Sequence, residues 1–122
     1  QDFHRGIDFA ADEGTPVKST ASGTVISVSI NQGGYGKKIE IEHSEGFITK
    51  YAHLSDIQVE EGQLVTLGQV IGLSGNSGLS TAPHLHYEVL KDGEFVDPTD
   101  YFLSHLKKEQ HMEKEVLCDK SN

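Results

Sequence analysis

The stretch Pro83-His84-Leu85-His86-Tyr87-Glu88-Val89 alternates polar and apolar residues and leads to an Asp92-Gly93 turn signal, the pattern of a β-strand. Side chains on a strand alternate between faces, so His84, His86 and Glu88 share one face while Leu85, Tyr87 and Val89 share the other. Imidazoles two residues apart on a strand have Cα atoms about 6.6 Å apart. At that spacing one can ligate a metal while the other reaches a coordinated water or a substrate. Two solvated surface histidines fit the strand equally well, so the choice rests on the rest of the chain.

Outward from this strand, Lys37 to His43 alternates cleanly, with Ile39 and Ile41 facing in and Lys38, Glu40 and Glu42 facing out. After a Ser44-Glu45-Gly46 turn, Phe47 to His53 reads as the return strand of an antiparallel hairpin, with His53 at its end. Pro16–Thr20 and Gly23–Ile30 read as two further strands; in the second, Val25, Ser27 and Ser29 oppose Thr24, Ile26, Val28 and Ile30. The loop Asn31-Gln32-Gly33-Gly34-Tyr35-Gly36 lacks the G-x-G-x-x-G spacing and no helix follows it, so it does not read as a nucleotide site. It reads as a plain hairpin connection, with a groove-lining loop as the alternative.

Val59 to Gly75 is a succession of very short strands broken by glycines, and it resembles the half-motif of biotinyl and lipoyl carrier domains. A carrier needs a Lys on an exposed hairpin, and the candidate turn Gly75-Asn76-Ser77-Gly78 has none. The fold hint remains: an all-β domain of small, twisted antiparallel sheets of the barrel-sandwich-hybrid type. Glu94-Phe95-Val96 forms a short return strand after Asp92-Gly93. Asp97-Pro98-Thr99-Asp100 then suits a helix start. Residues 101–116 are expected to form a polar helix docked through Tyr101, Phe102, Leu103 and Leu106, and the last six residues to be disordered. The expected organisation is one domain over 1–103, followed by a helix and tail over 104–122.

Composition narrows the function. A chain of 122 residues is one domain with a modest core, and its 13 glycines among short Val/Ile-rich runs favour tight turns between strands. A formal charge of -9 argues against nucleic acid or an anionic membrane surface as partner. No apolar run is long enough for a transmembrane helix, and no signal peptide is visible. The chain begins at Gln1 and its one methionine is Met112, so the expectation is a processed product or an excised domain. Cys118 stands in a polar tail, so neither a disulfide framework nor a thiolate cluster is available, and any metal must be held by His, Asp or Glu.

Such residues occur in three segments: His4 with Asp8, His53, and His84 with His86. His4 and Asp8 would stand roughly 13 Å apart on a straight strand, so shared ligation needs a bend, which Gly6 permits. His43, His105 and His111 show no partner pattern. A catalytic zinc usually takes three His or carboxylate ligands and leaves one position for water, whose pKa it lowers to around 7. No H-E-x-x-H motif supplies a Glu base, so histidines would have to move the proton.

The motifs H-x-x-x-D (His4, Asp8), Y-A-H-L (Tyr51 to Leu54) and P-H-L-H-Y-E-V (Pro83 to Val89) resemble the lysostaphin-type, or LytM-type, zinc metallopeptidases. G-T-P-V (Gly14 to Val17), G-G-Y-G (Gly33 to Gly36) and V-D-P (Val96 to Pro98) do so as well, and the resemblance covers roughly residues 3–102 in family order. It implies one Zn2+ per chain held by His4, Asp8 and His86, with His53 and His84 flanking the water and stabilising the tetrahedral intermediate. It implies an endopeptidase acting on peptidoglycan stem peptides outside the cytoplasm, in the periplasm or cell envelope. G-I-D-F-A and H-L-H-Y-E-V are more like the Gram-negative enzymes that cut D-alanyl–diaminopimelate cross-links than like the glycine-bridge enzymes. Ala82 departs from the family's Gly before P-H-L-H, and the family's sequence upstream of H-x-x-x-D is missing. The resemblance also allows a non-enzymatic partner or activator of another cell-wall hydrolase, or docking to a second envelope protein. Such non-enzymatic members lose zinc ligands, whereas this chain keeps the full motif set.

Overall fold

The computed structural model describes residues 6–30, 34–76, 83–97 and 117–118. In chain order the strands are β1 (Gly6–Ala10), β2 (Pro16–Lys18), β3 (Gly23–Ser29), β4 (Lys37–Glu42) and β5 (Phe47–Ile57). They continue with β6 (Leu64–Val65), β7 (Val70–Ser74), β8 (His84–Lys91), β9 (Glu94–Val96) and β10 (Leu117–Cys118). All their pairings are antiparallel. The main sheet runs β10-β1-β8-β5-β4-β3-β6, with β2 and β7 paired beside β5 and β9 folded back on β8. The all-β, antiparallel expectation holds. The helix expected over 101–116 lies outside the described residues. Leu117 and Cys118, assigned by sequence to an unstructured tail, instead pair through their backbone with the outer edge of β1, Asp8 opposite Cys118 and Phe9 opposite Leu117.

The core lies on the face of β8 that carries Leu85, Tyr87 and Val89, all buried. Ile39, Ile41, Leu54 and Ile71 pack into the same cluster, each contributing roughly 1.5–3 kcal/mol by leaving water. Polar groups inside this core are paired, as burial requires. Thr20 Oγ1 is 3.0 Å from Tyr51 Oη and 2.9 Å from Tyr87 Oη. Tyr51 Oη also accepts the Thr20 N–H at 3.1 Å and lies 3.0 Å from Thr49 Oγ1. His43 continues the chain: its Nδ1–H donates to the Ser22 carbonyl at 2.7 Å, and Nε2 is 2.8 Å from Thr49 Oγ1.

Three local departures from simple alternation follow from pairing. In β3 the register shifts between Val25 and Ser27, leaving Ile26 as the extra residue of a bulge. Val25 therefore points into the core, whereas Ile26 is 40% and Ile30 62% exposed. In β4 the outward-facing Lys38 is only 5% exposed, because the Tyr35 ring covers it and Glu40 pairs with it at 2.9 Å. The third departure is at His53, which is not a strand end. Strand β5 pairs with β8 through Ala52 and with β7 from Leu54 onward. His53 stands at the handover with φ 62°, a left-handed conformation costing roughly 1–2 kcal/mol for a residue with a Cβ. Its N–H leaves the ladder and donates to the Tyr35 carbonyl at 2.9 Å.

Candidate active site

Strand register assembles the site. Asp8 on β1, His86 on β8 and Ala52 on β5 are cross-strand neighbours in one row, so their side chains share a face. The next row holds Gly6, Glu88 and Lys50. Asp8 Oδ1 lies 2.6 Å from His86 Nδ1 and 3.4 Å from His84 Nε2. The other nitrogen of His86, Nε2, donates to Glu88 Oε2 at 2.8 Å. The His53 ring stands 4.9 Å from that of His84 and 5.9 Å from that of His86, centroid to centroid. Gly34, Tyr35, His53, His86 and Glu88 line a cleft of about 330 Å³.

The bend expected between His4 and Asp8 involves residues outside those described, but Gly6 has a second role. It sits in regular antiparallel pairing opposite Glu88, and a Cβ there would fall 2.5 Å from His86 Cε1. The missing side chain makes room for the imidazole. His4 lies outside the described residues, and among the described residues no three His, Cys, Asp or Glu side chains form a group able to hold a metal ion.

The electrostatics are those of an imidazolium between two carboxylates. Burial disfavours the charge on His86, but the hydrogen bonds it donates to Asp8 and Glu88, with the charges of both, outweigh burial and raise its pKa to about 9. Burial pushes the Asp8 carboxyl up, yet the His86 hydrogen bond and the fields of His86, His84 and His53 hold it below the usual range. The donor set fits zinc: a carboxylate oxygen and an imidazole nitrogen already converge, both suited to that ion. The far nitrogen of His86 is held by a carboxylate, as metal-bound histidines typically are. A cation placed there would displace the proton that now bridges Asp8 and His86.

Of the residues expected from sequence, His53 and His86 line the cleft, Asp8 and His84 stand against them, and His4 lies outside the described residues. Sequence reading passes over Tyr35 and Glu88. The two-residue step from His86 already puts Glu88 on the same face of β8, but its contact with Tyr35 spans a sequence separation of 53.

The model of peptidase family M23 matches residues 2–98. The chain belongs to peptidase family M23. Among its relatives is the DD-carboxypeptidase/endopeptidase Mpg of Neisseria meningitidis, 48% identical over 101 residues, covering 83% of this chain and 23% of that protein. A zinc-containing peptidase from Vibrio cholerae superposes with a TM-score of 0.73 at 47% identity, covering 77% of this chain and 29% of that one. The catalytic domain of lysostaphin from Staphylococcus simulans does so at 0.74 and 38% identity, covering 81% and 78%. This M23 chain spans between about a fifth and a quarter of the length of the curated relatives it matches.

Proposed function

We propose that this M23 domain is a zinc-dependent endopeptidase that hydrolyses peptide cross-links of bacterial peptidoglycan outside the cytoplasm, with the D-alanyl–diaminopimelate bond as substrate. The observation that carries this reading is the Asp8–His86 contact, with the His53 ring close to those of both His84 and His86. Relatives named as DD-endopeptidases, among them ShyA of Vibrio cholerae at 46% identity, support the choice of bond. In this reading Asp8, His86 and His4 hold the ion. When bound, zinc supplies Lewis acidity for the scissile carbonyl and lowers the pKa of a coordinated water toward 7.

The chain's own residues do the proton work. As a water oxygen adds to the carbonyl carbon, one imidazole of the His53–His84 pair takes the water's proton. The N–H of the other faces the carbonyl oxygen, where negative charge gathers. The C–N bond then breaks, and the first imidazole returns its proton to the leaving amine. Two histidines suit this exchange because a neutral imidazole accepts a proton at one nitrogen and donates from the other.

The test is digestion of purified cross-linked muropeptides by zinc-loaded and by chelated protein, with products read by mass. The expected result is zinc-dependent conversion of dimers to monomers by hydrolysis between D-alanine and diaminopimelate. Intact dimers despite one bound ion per chain would overturn the enzymatic reading, and cleavage of glycine-bridged dimers alone would overturn the choice of bond.

A further inference from the structure

Tyr35 sits at the end of the glycine-rich loop before β4 and is held from several sides. Lys38 Nζ lies 4.7 Å from its ring centroid and Lys50 Nζ 5.6 Å, distances at which an ammonium is attracted to an aromatic face. Both ammonium groups share Glu40, at 2.9 and 3.9 Å, so part of the positive charge beneath the ring is offset. The phenol hydroxyl reaches the other way, 3.2 Å from each oxygen of the Glu88 carboxylate. Glu88 in turn accepts from His86 Nε2 at 2.8 Å. Through its backbone carbonyl Tyr35 also accepts the N–H of His53, the residue in left-handed conformation at the strand handover.

We propose that Tyr35 is a positioning residue of this site, its hydroxyl fixing Glu88 so that Glu88 fixes the His86 imidazole, while its carbonyl holds His53. The inference rests on the reading of His86 as a metal ligand. The orientation of an imidazole that binds metal through one nitrogen is set by whatever holds the other. Here that holder is a carboxylate, whose terminal torsion is soft unless something else grips it. Tyr35 supplies that grip from a ring wedged over two lysines. The ligand side and the proton-handling side of the cleft are thereby registered to one loop residue.

Tyr35→Phe is a clean probe, because it keeps the ring, the lysine contacts and the backbone carbonyl and removes only the hydroxyl. Zinc affinity is read by competition with a chromophoric chelator. Loss of an outer-shell partner typically weakens metal binding or activity by about 10–100-fold, the effect expected for Glu88→Ala. Tyr35, one bond further out, is expected to lower affinity roughly 3- to 30-fold. On muropeptides its kcat should fall with KM little changed. The double variant Tyr35→Phe/Glu88→Ala should bind zinc no more weakly than Glu88→Ala alone, since the hydroxyl acts only through the carboxylate.

A purely structural tyrosine would give additive losses, and that result overturns the inference. So does a Tyr35→Phe protein with the parent's affinity and kcat, which would leave the endopeptidase reading intact. Failure of the parent protein to bind zinc sinks the metal reading instead. In that event the metal-free protein still decides the point by 15N NMR. The His86 Nε2 proton should be protected from exchange in the parent and exposed in Tyr35→Phe, and equal protection in both overturns the inference.

Discussion

Gly6→Ala adds a single methyl group beneath the centre of the site. The new Cβ would stand 2.5 Å from His86 Cε1, 2.7 Å from Nε2 and 3.1 Å from Glu88 Cγ. Non-bonded carbons settle at about 3.5–4.0 Å, so the imidazole has to withdraw by roughly 1 Å. Its contacts of 2.6 Å to Asp8 and 2.8 Å to Glu88 leave no such slack. Lengthening either by about 1 Å takes it past hydrogen-bond range. One hydrogen bond to a charged group contributes about 1.5–3 kcal/mol, equivalent to about 10- to 150-fold in zinc affinity. Gly6 is not among the glycines with positive φ, so alanine meets no backbone strain and the effect belongs to the contact. The assay is chelator competition, with thermal melts by circular dichroism to show that the variant is folded. A folded Gly6→Ala protein that binds zinc as tightly as the parent would refute the reasoning, because the ring would then have room that this geometry denies it.

Asp8→Ala, His4→Ala and His86→Ala are each expected to lose zinc and muropeptide cleavage together, whereas His53→Ala and His84→Ala keep the ion and lose turnover; metal content by mass spectrometry separates the two groups. Loss of metal in His53→Ala would show the roles to be misassigned. Tyr51→Phe strips a buried acceptor from the Thr20 N–H and should destabilise the domain by about 1–3 kcal/mol, read as a lower urea midpoint. An unchanged midpoint would mean that the hydroxyl network adds nothing. Burial lowers the His43 pKa, partly offset by the Ser22 carbonyl. The folded state therefore binds fewer protons there than the unfolded chain. The stability contributed by neutral His43 is fully present above pH 6.5, the group's ordinary value, and is lost as pH falls below it. The stability gap between the parent and His43→Gln should narrow from pH 7.5 to pH 5 in urea titrations, and a gap constant with pH would contradict this.

Much of the fold was legible because period-two alternation carries it. Ile39 and Ile41 are buried as their spacing requires, and Leu85, Tyr87 and Val89 fill the core face of β8. The pattern fails where pairing, not local sequence, sets the side chain's direction. Ile26 is turned outward by a bulge that β4 imposes on β3. His53 reads as a strand end because nothing local shows that Leu54–Ile57 continue on a different partner. Within the site, spacing and motif pointed to Asp8, His53, His84 and His86, since their chemistry is a property of residue type. Neither Tyr35 nor Glu88 carries a sequence signal for its role, because those roles are relational: the two meet across 53 positions, Tyr35 meets His53 through a backbone bond, and Glu88 meets His86 through a hydrogen bond only the folded strand makes. Lys38 makes the same point, as only the fold covers a lysine with a tyrosine ring.

The handover of β5 also divides the cleft mechanically. Asp8 and His86 stand on the unbroken lattice of β10, β1, β8 and β5, where each is braced from both sides. His53 stands at a seam, where one ladder has ended and the next has yet to begin. Two side chains on a beam keep their spacing under load, while one on a seam can turn by a small rotation. Under the function proposed above, stiffness would fall to the residues that hold the ion and compliance to one that handles the proton.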